Sequence, residues 1–154
     1  MPKEYRELSI PVWNKYDLSK HKGLDARLGK ACYDLSILMT YVAIDKYLKN
    51  GGKLCIVITQ TIFKTVGGGE GFRQFRLGQN GIPFKIIQVD DMVELQPFEA
   101  ATNRTSVLLC QKSDTTTYPV EYHLWRKKTK GIIDSESSWH DIIACTSVRY
   151  LKAY

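Results

Sequence analysis

The sequence predicts an α/β layered fold, and three observations carry that reading. Over residues 31–49, Ile37, Tyr41, Ile44 and Leu48 recur at spacings of four, three and four, with Leu38 and Val42 beside them. This is a wide apolar stripe on one side of a helix. Asn50, Gly51 and Gly52 follow as a stop, because Asn and Gly tolerate the left-handed conformation at a helix end. Residues 53–59 are then short, β-branched and apolar without a break, as a strand covered on both faces should be. A helix, a Gly-Gly turn and a doubly buried strand together imply a parallel sheet with helices layered on it.

The other elements are read in chain order. Residues 1–30 are polar and irregular, with one short helix expected to stop near Pro11. Trp13 and Tyr16 in that stretch need burial elsewhere. After the first strand, the glycines of residues 67–71 open a short amphipathic helix over 72–77, which Gly78 and Gly81 close. A second strand is expected over 84–89, ending at Asp90 and Asp91, and a third over 105–111. The loop between them, built around Pro97 and Phe98, leaves no room for a helix. The two strands can therefore pair antiparallel beside an otherwise parallel strand. Residues 118–125 alternate enough for a strand, and Arg126, Lys127, Lys128 and Lys130 form a basic run. A last helix is expected over 138–146, capped by Ser137 or Ser138. No further element is legible before Tyr154.

Composition bounds the function classes. With 154 residues and 17.6 kDa, one core is expected. The net charge of +6 suits a polyanionic partner without requiring one. No apolar run approaches the roughly 20 residues that span a bilayer, and the charged start is not that of a signal peptide. Cys32, Cys55, Cys110 and Cys145 form no CxxC pair, so buried reduced thiols and a cytoplasmic location are expected. His21, His123 and His140 lie far apart without a ligand pattern, and no metal site is expected.

Recognised catalytic motifs are missing. The glycines of 67–71, with Asp90 beyond them, superficially suggest a dinucleotide site. They contain no G-x-G-x-x-G and lie too far past the strand, so a mobile surface loop is expected instead. Asp90 and Asp91 are adjacent, and strand neighbours point to opposite faces, which argues against a joint acid–base role. Two cationic features remain. Arg73 and Arg76, three apart on the expected helix, share a face and could hold phosphates or simply be solvated. Arg126, Lys127 and Lys128, beside His123 and Trp125, mix cations with an aromatic in a way that suits a nucleic-acid backbone.

Four stretches carry a family resemblance. They are residues 53–64 (Lys-Leu-Cys-Ile-Val-Ile-Thr-Gln-Thr-Ile-Phe-Lys), 69–77 (Gly-Glu-Gly-Phe-Arg-Gln-Phe-Arg-Leu), 89–98 (Val-Asp-Asp-Met-Val-Glu-Leu-Gln-Pro-Phe) and 103–107 (Asn-Arg-Thr-Ser-Val). Residues 2–7, Trp13 and residues 24–29 add to them upstream. Over residues 1–130 the chain resembles the back half of the catalytic domain of large bacterial N6-adenine DNA methyltransferases from restriction–modification systems. The resemblance implies part of a Rossmann-like, mostly parallel seven-stranded sheet with one antiparallel strand at its edge. The three strands here would be its fifth to seventh. It also implies methyl transfer from S-adenosylmethionine to the amino group of an adenine flipped out of DNA.

Under that resemblance, residues 1–112 would be the second half of the catalytic domain. Residues 113–154 would be a basic extension toward a missing DNA-recognition region. Phe98 would stack on the target base, or else plug the core under its loop. Asn103 and Arg104 would lie on the same loop, and Arg73, Arg76, Arg126, Lys127 and Lys128 would meet DNA. The family's glycine-rich cofactor turn and its Pro-Pro-aromatic loop are not found, so no cofactor-binding or certain catalytic residue is expected in this chain. A fragment inactive alone is therefore expected, with the N-terminal half of the domain as its partner. The missing strands would leave the 53–59 strand with an open edge prone to self-association, and the 31–49 helix with an uncovered stripe. The alternative is a non-catalytic α/β module that binds protein or nucleic acid.

Overall fold

The helix α1, Lys3–Lys15, runs straight through Pro11 instead of stopping there. Proline removes the N–H that would bond the carbonyl of Glu7, but both residues are exposed and that carbonyl can reach water. Continuing the helix delivers Trp13, Tyr16 and Leu18 to the interior, each 2% exposed. Burying side chains of this size contributes about 1.5–3 kcal/mol apiece, which outweighs one missing bond. The computed structural model describes residues 3–18, 34–64, 68–98, 104–128, 133 and 136–154. Residues 24–29, His21, Cys32, Gly67, Asn103 and Lys130 lie outside them.

The helix α2, Leu35–Tyr47, begins at Asp34, whose carboxylate accepts from the Ser36 backbone N–H at 2.9 Å. Its stripe of Ile37, Leu38, Tyr41 and Ile44 is buried, so the uncovered stripe expected above does not exist. At its other end the buried Lys112 ammonium donates to the carbonyls of Asp45 and Leu48, both at 2.9 Å. A cation there complements the negative end of the helix. Gly51 then turns the chain with φ +76°, a conformation that favours glycine.

Five strands make one mixed sheet: β1 (Lys53–Thr59), β2 (Phe84–Asp91), β3 (Thr105–Lys112), β4 (Val120–Lys127) and β5 (Thr146–Ala153). Their order is β1-β3-β2-β4-β5. β3 is antiparallel to both β1 and β2, β4 runs parallel to β2, and β5 is antiparallel to β4. The fold is thus α/β with flanking helices, as expected, with three corrections. The sheet has five strands, because residues 113–154 contribute β4 and β5. The antiparallel β3 lies between β1 and β2 rather than at an edge. And, among the described residues, β1 is an edge strand covered on one face only.

On the covered face, Ile58, Leu108, Cys110, Ile86 and Val89 meet Trp13, Tyr41 and Phe72 from the helices. On the outer face Lys53, Cys55 and Val57 are exposed. Cys55 is therefore not a buried thiol, whereas Cys110 is, and burial pushes its pKa up to about 12. The short helix α3, Gly68–Phe72, is formed by the glycines themselves. The expected helix over 72–77 is absent: Phe75 has φ 47° and Arg76 bridges to Pro83. Nor is the glycine segment a loose surface loop. A Cβ built on Gly71 would lie 2.3 Å from the Leu18 carbonyl oxygen, so glycine is what lets the two backbones touch. The final helix, α4 (Trp139–Cys145), starts at Ser138 in a capping box with Asp141.

Candidate nucleic-acid interface

Strand direction decides which cations can act together. β1, β2 and β4 all point the same way, so their carboxyl ends share one end of the sheet. Thr59 is level with Thr105, Asp91 with Ser106, and Asp91 with Leu124. Arg126, Lys127 and Lys128 lie just beyond that line and are exposed. The loop after β2 leaves from the same line and carries Phe98, which is 51% exposed and so does not plug a core. The loop's return is tied down where Met92 N–H bonds the Thr105 carbonyl at 3.1 Å. Arg104 is exposed beside it, and its carbonyl accepts from the Gln60 N–H at 2.8 Å. This end of the sheet therefore gathers an aromatic and four of the expected cations. One of these is partly engaged: Arg126 Nε lies 3.3 Å from Glu94 Oε1.

Arg73 and Arg76 do not join this group, and they share no helix face. Arg76 sits before β2, at the opposite end of the sheet, with Nη1 donating to the Gly81 carbonyl at 3.1 Å. Eight strand residues separate the two ends, roughly 25 Å. Arg73 turns inward, where Nη1 donates to the Ile62 carbonyl at 3.0 Å. It lines a small cavity of about 130 Å³ with Phe63, Phe75 and Tyr122.

Behind this end of the sheet lies a polar cluster that the residue types alone do not announce. Gln60, 1% exposed, opens the turn after β1, and its Nε2 donates to Asp91 Oδ2 at 3.0 Å. The Tyr122 hydroxyl donates to the same oxygen, and Val93 N–H donates to Asp91 Oδ1 at 3.1 Å. Burial, and then the bond to Asp91, push the Tyr122 hydroxyl up to about 12. Gln60 Oε1 and Ser106 Oγ, both buried, have no hydrogen-bond partner among the described residues. The carboxyl end of parallel strands is where α/β sheets hold ligands.

Asp90 points the other way, as adjacent strand residues must. Its Oδ1 accepts from Trp125 Nε1 at 2.8 Å and lies 3.3 Å from His123 Nδ1, while Oδ2 accepts from Gln88 Nε2 at 2.6 Å. The two aspartates thus belong to separate sites, in agreement with the sequence reading.

At Gly71 the Leu18 backbone fills the space beside the glycine, so this position itself offers no cradle for S-adenosylmethionine. No helix among the described residues is long and apolar enough to cross a membrane. Comparison with protein-family models finds no match to this chain, and comparison with curated proteins finds none either.

Proposed function

We propose that this chain is the DNA-facing part of a site-specific DNA adenine N6-methyltransferase of the restriction–modification type. The residues that hold S-adenosylmethionine and position the adenine amino group would be supplied from outside it. The observation that carries the reading is the convergence of Phe98, Arg104, Arg126, Lys127 and Lys128 on one end of the sheet. Cations there would hold phosphates, and an exposed aromatic would stack on an unpaired base. The mixed order, with β1 and β2 parallel around an antiparallel β3, is compatible with the mostly parallel sheet that the resemblance implies. β1, at the sheet edge, is where a preceding half of the domain would dock.

Fluorescence anisotropy with a labelled single strand, and with a duplex carrying one unpaired adenine, tests this function. Both should bind, and affinity should fall steeply with salt. Lys127→Ala and Lys128→Ala should each lower the salt slope by about 1. Calorimetry should show no binding of S-adenosylmethionine to the chain alone. Absence of DNA binding at low salt would sink the reading and leave the protein-binding module in its place.

A further inference from the structure

The face of the sheet that meets the helices is covered over β1, β3 and β2, but over β4 and β5 it is open, with Arg126, Ser147 and Arg149 exposed. Register fixes which side chains share this open face. Arg126 is paired with Ser147 and Leu124 with Arg149, and Leu124 is in turn level with Asp91 at the carboxyl end of β2. Strand neighbours alternate between faces. Arg126 and Arg149 therefore lie on one side, while Lys127 and Lys152 lie on the other. As diagonal neighbours on adjacent strands, the two arginines have backbones roughly 7–8 Å apart, so their guanidiniums can reach successive phosphates of one strand.

Charge on this face has one sign. Among the described residues of β4 and β5, no carboxylate shares it. Asp91, which borders it on β2, is buried with its oxygens held by Gln60, Tyr122 and Val93. Glu94 reaches only Arg126, and no described carboxylate pairs with Arg149. On the opposite face, by contrast, Lys152 is paired with Glu121. An exposed guanidinium keeps its charge at every working pH, and its planar fork fits a phosphate. We propose that the nucleic-acid backbone runs across the open face of β4 and β5, away from β1, with Arg149 as its outermost phosphate contact. This inference rests on the DNA-binding reading and adds to it a path and a residue on β5 that the basic run does not contain.

Anisotropy titrations of the full chain with a labelled single strand, repeated over a range of salt concentrations, test this path. Arg149→Ala should weaken binding roughly three- to ten-fold at low salt and lower the salt slope by about 1. Lys152→Ala removes the same charge from the same strand but from the opposite face, and should leave both affinity and slope as in the wild type. Arg149→Lys should keep the slope, because the charge is retained. All three positions are exposed, so melting temperatures should not move. If the wild type binds DNA, three results would each overturn the path while leaving the proposed function standing. These are unchanged binding by Arg149→Ala, equal losses in Arg149→Ala and Lys152→Ala, or a lowered slope in Arg149→Lys. A wild type that binds no DNA would overturn both.

Discussion

The Tyr122 hydroxyl donates to Asp91 across 31 positions of sequence, and this bond locks β4 to the carboxyl end of β2. Asp91 is 3% exposed, so it depends on its protein donors. Tyr122→Phe removes one of them and should destabilise the fold by about 1–3 kcal/mol. The hydroxyl pKa is raised to about 12, mainly by burial. A raised folded-state pKa gives stability that is whole below the unfolded value near ~10 and lost as pH rises toward the folded one. Urea melts at rising alkaline pH should therefore show the wild type losing a component that Tyr122→Phe never had. Equal stability of the two proteins at neutral pH would contradict the arrangement.

A second coupling joins α1 to α2. Asp45 Oδ2 accepts from the Tyr16 hydroxyl at 2.8 Å and from Lys15 Nζ at 2.6 Å. The Lys15 bond, ahead of the opposing effect of burial, holds the Asp45 carboxyl below its ordinary range. A depressed pKa gives stability that is present above the unfolded value and lost as pH falls through the folded one. The acid side of the stability profile, below about pH 4, should therefore flatten in Asp45→Asn. Because Lys15 is half exposed, Lys15→Ala should cost no more than about 1 kcal/mol at neutral pH. A larger loss, or an unchanged acid limb in Asp45→Asn, would show that the pair does not link the helices.

The limits of the sequence reading follow from the kind of interaction involved. The strand at residues 53–59 was legible because a Gly-Gly turn and an unbroken apolar run mark both ends locally. The passage of α1 through Pro11 was not, because the burial of Trp13 and Tyr16 that outweighs it is tertiary. Arg73 and Arg76 share no face because the helix is made by Gly68–Phe72 and ends before them, whereas glycines normally weaken helices. Here the contact of Gly71 with Leu18 makes them a packing surface. β5 is not legible in the sequence because a strand with exposed Arg149 and Tyr150 lacks a continuous apolar signal. Gln60 and Ser106 are neutral residues whose placement beside Asp91 follows from cross-strand register, which one sequence does not display. The cations of residues 126–128 were visible, but their position level with the Phe98 loop depends on the parallel pairing of β2 and β4.

The outer side of β1 should make the chain associate with itself. Among the described residues β1 pairs only with β3, and its outer face exposes Cys55 and Val57, the latter to 51%. An uncovered edge with apolar side chains and one terminal lysine has little to discourage pairing with another strand. Light scattering should show the apparent mass rising with concentration under reducing conditions, and Val57→Lys should suppress the rise without lowering the melting temperature. A wild type that remains monomeric at every concentration would refute this.

Phe98 gives the most direct test of the proposed interface. Its ring is 51% exposed on the loop after β2, and Pro97 before it restricts the backbone approach. An exposed phenyl face contributes little to the fold, and surface substitutions usually change stability by less than about 0.5 kcal/mol. Stacking on a base, by contrast, is worth about 1–3 kcal/mol. The two roles therefore separate cleanly in one variant. Phe98→Ala should weaken binding of a single strand carrying aminopurine by about ten-fold, since roughly 1.4 kcal/mol is a factor of ten. It should also abolish the change in aminopurine fluorescence that accompanies stacking. Phe98→Trp should retain both signals, because stacking requires an aromatic face rather than a particular ring. Neither substitution should alter the salt slope, which belongs to Arg104, Arg126, Lys127 and Lys128. A fall in melting temperature with DNA affinity unchanged would assign Phe98 to packing and remove the base-stacking role from this loop.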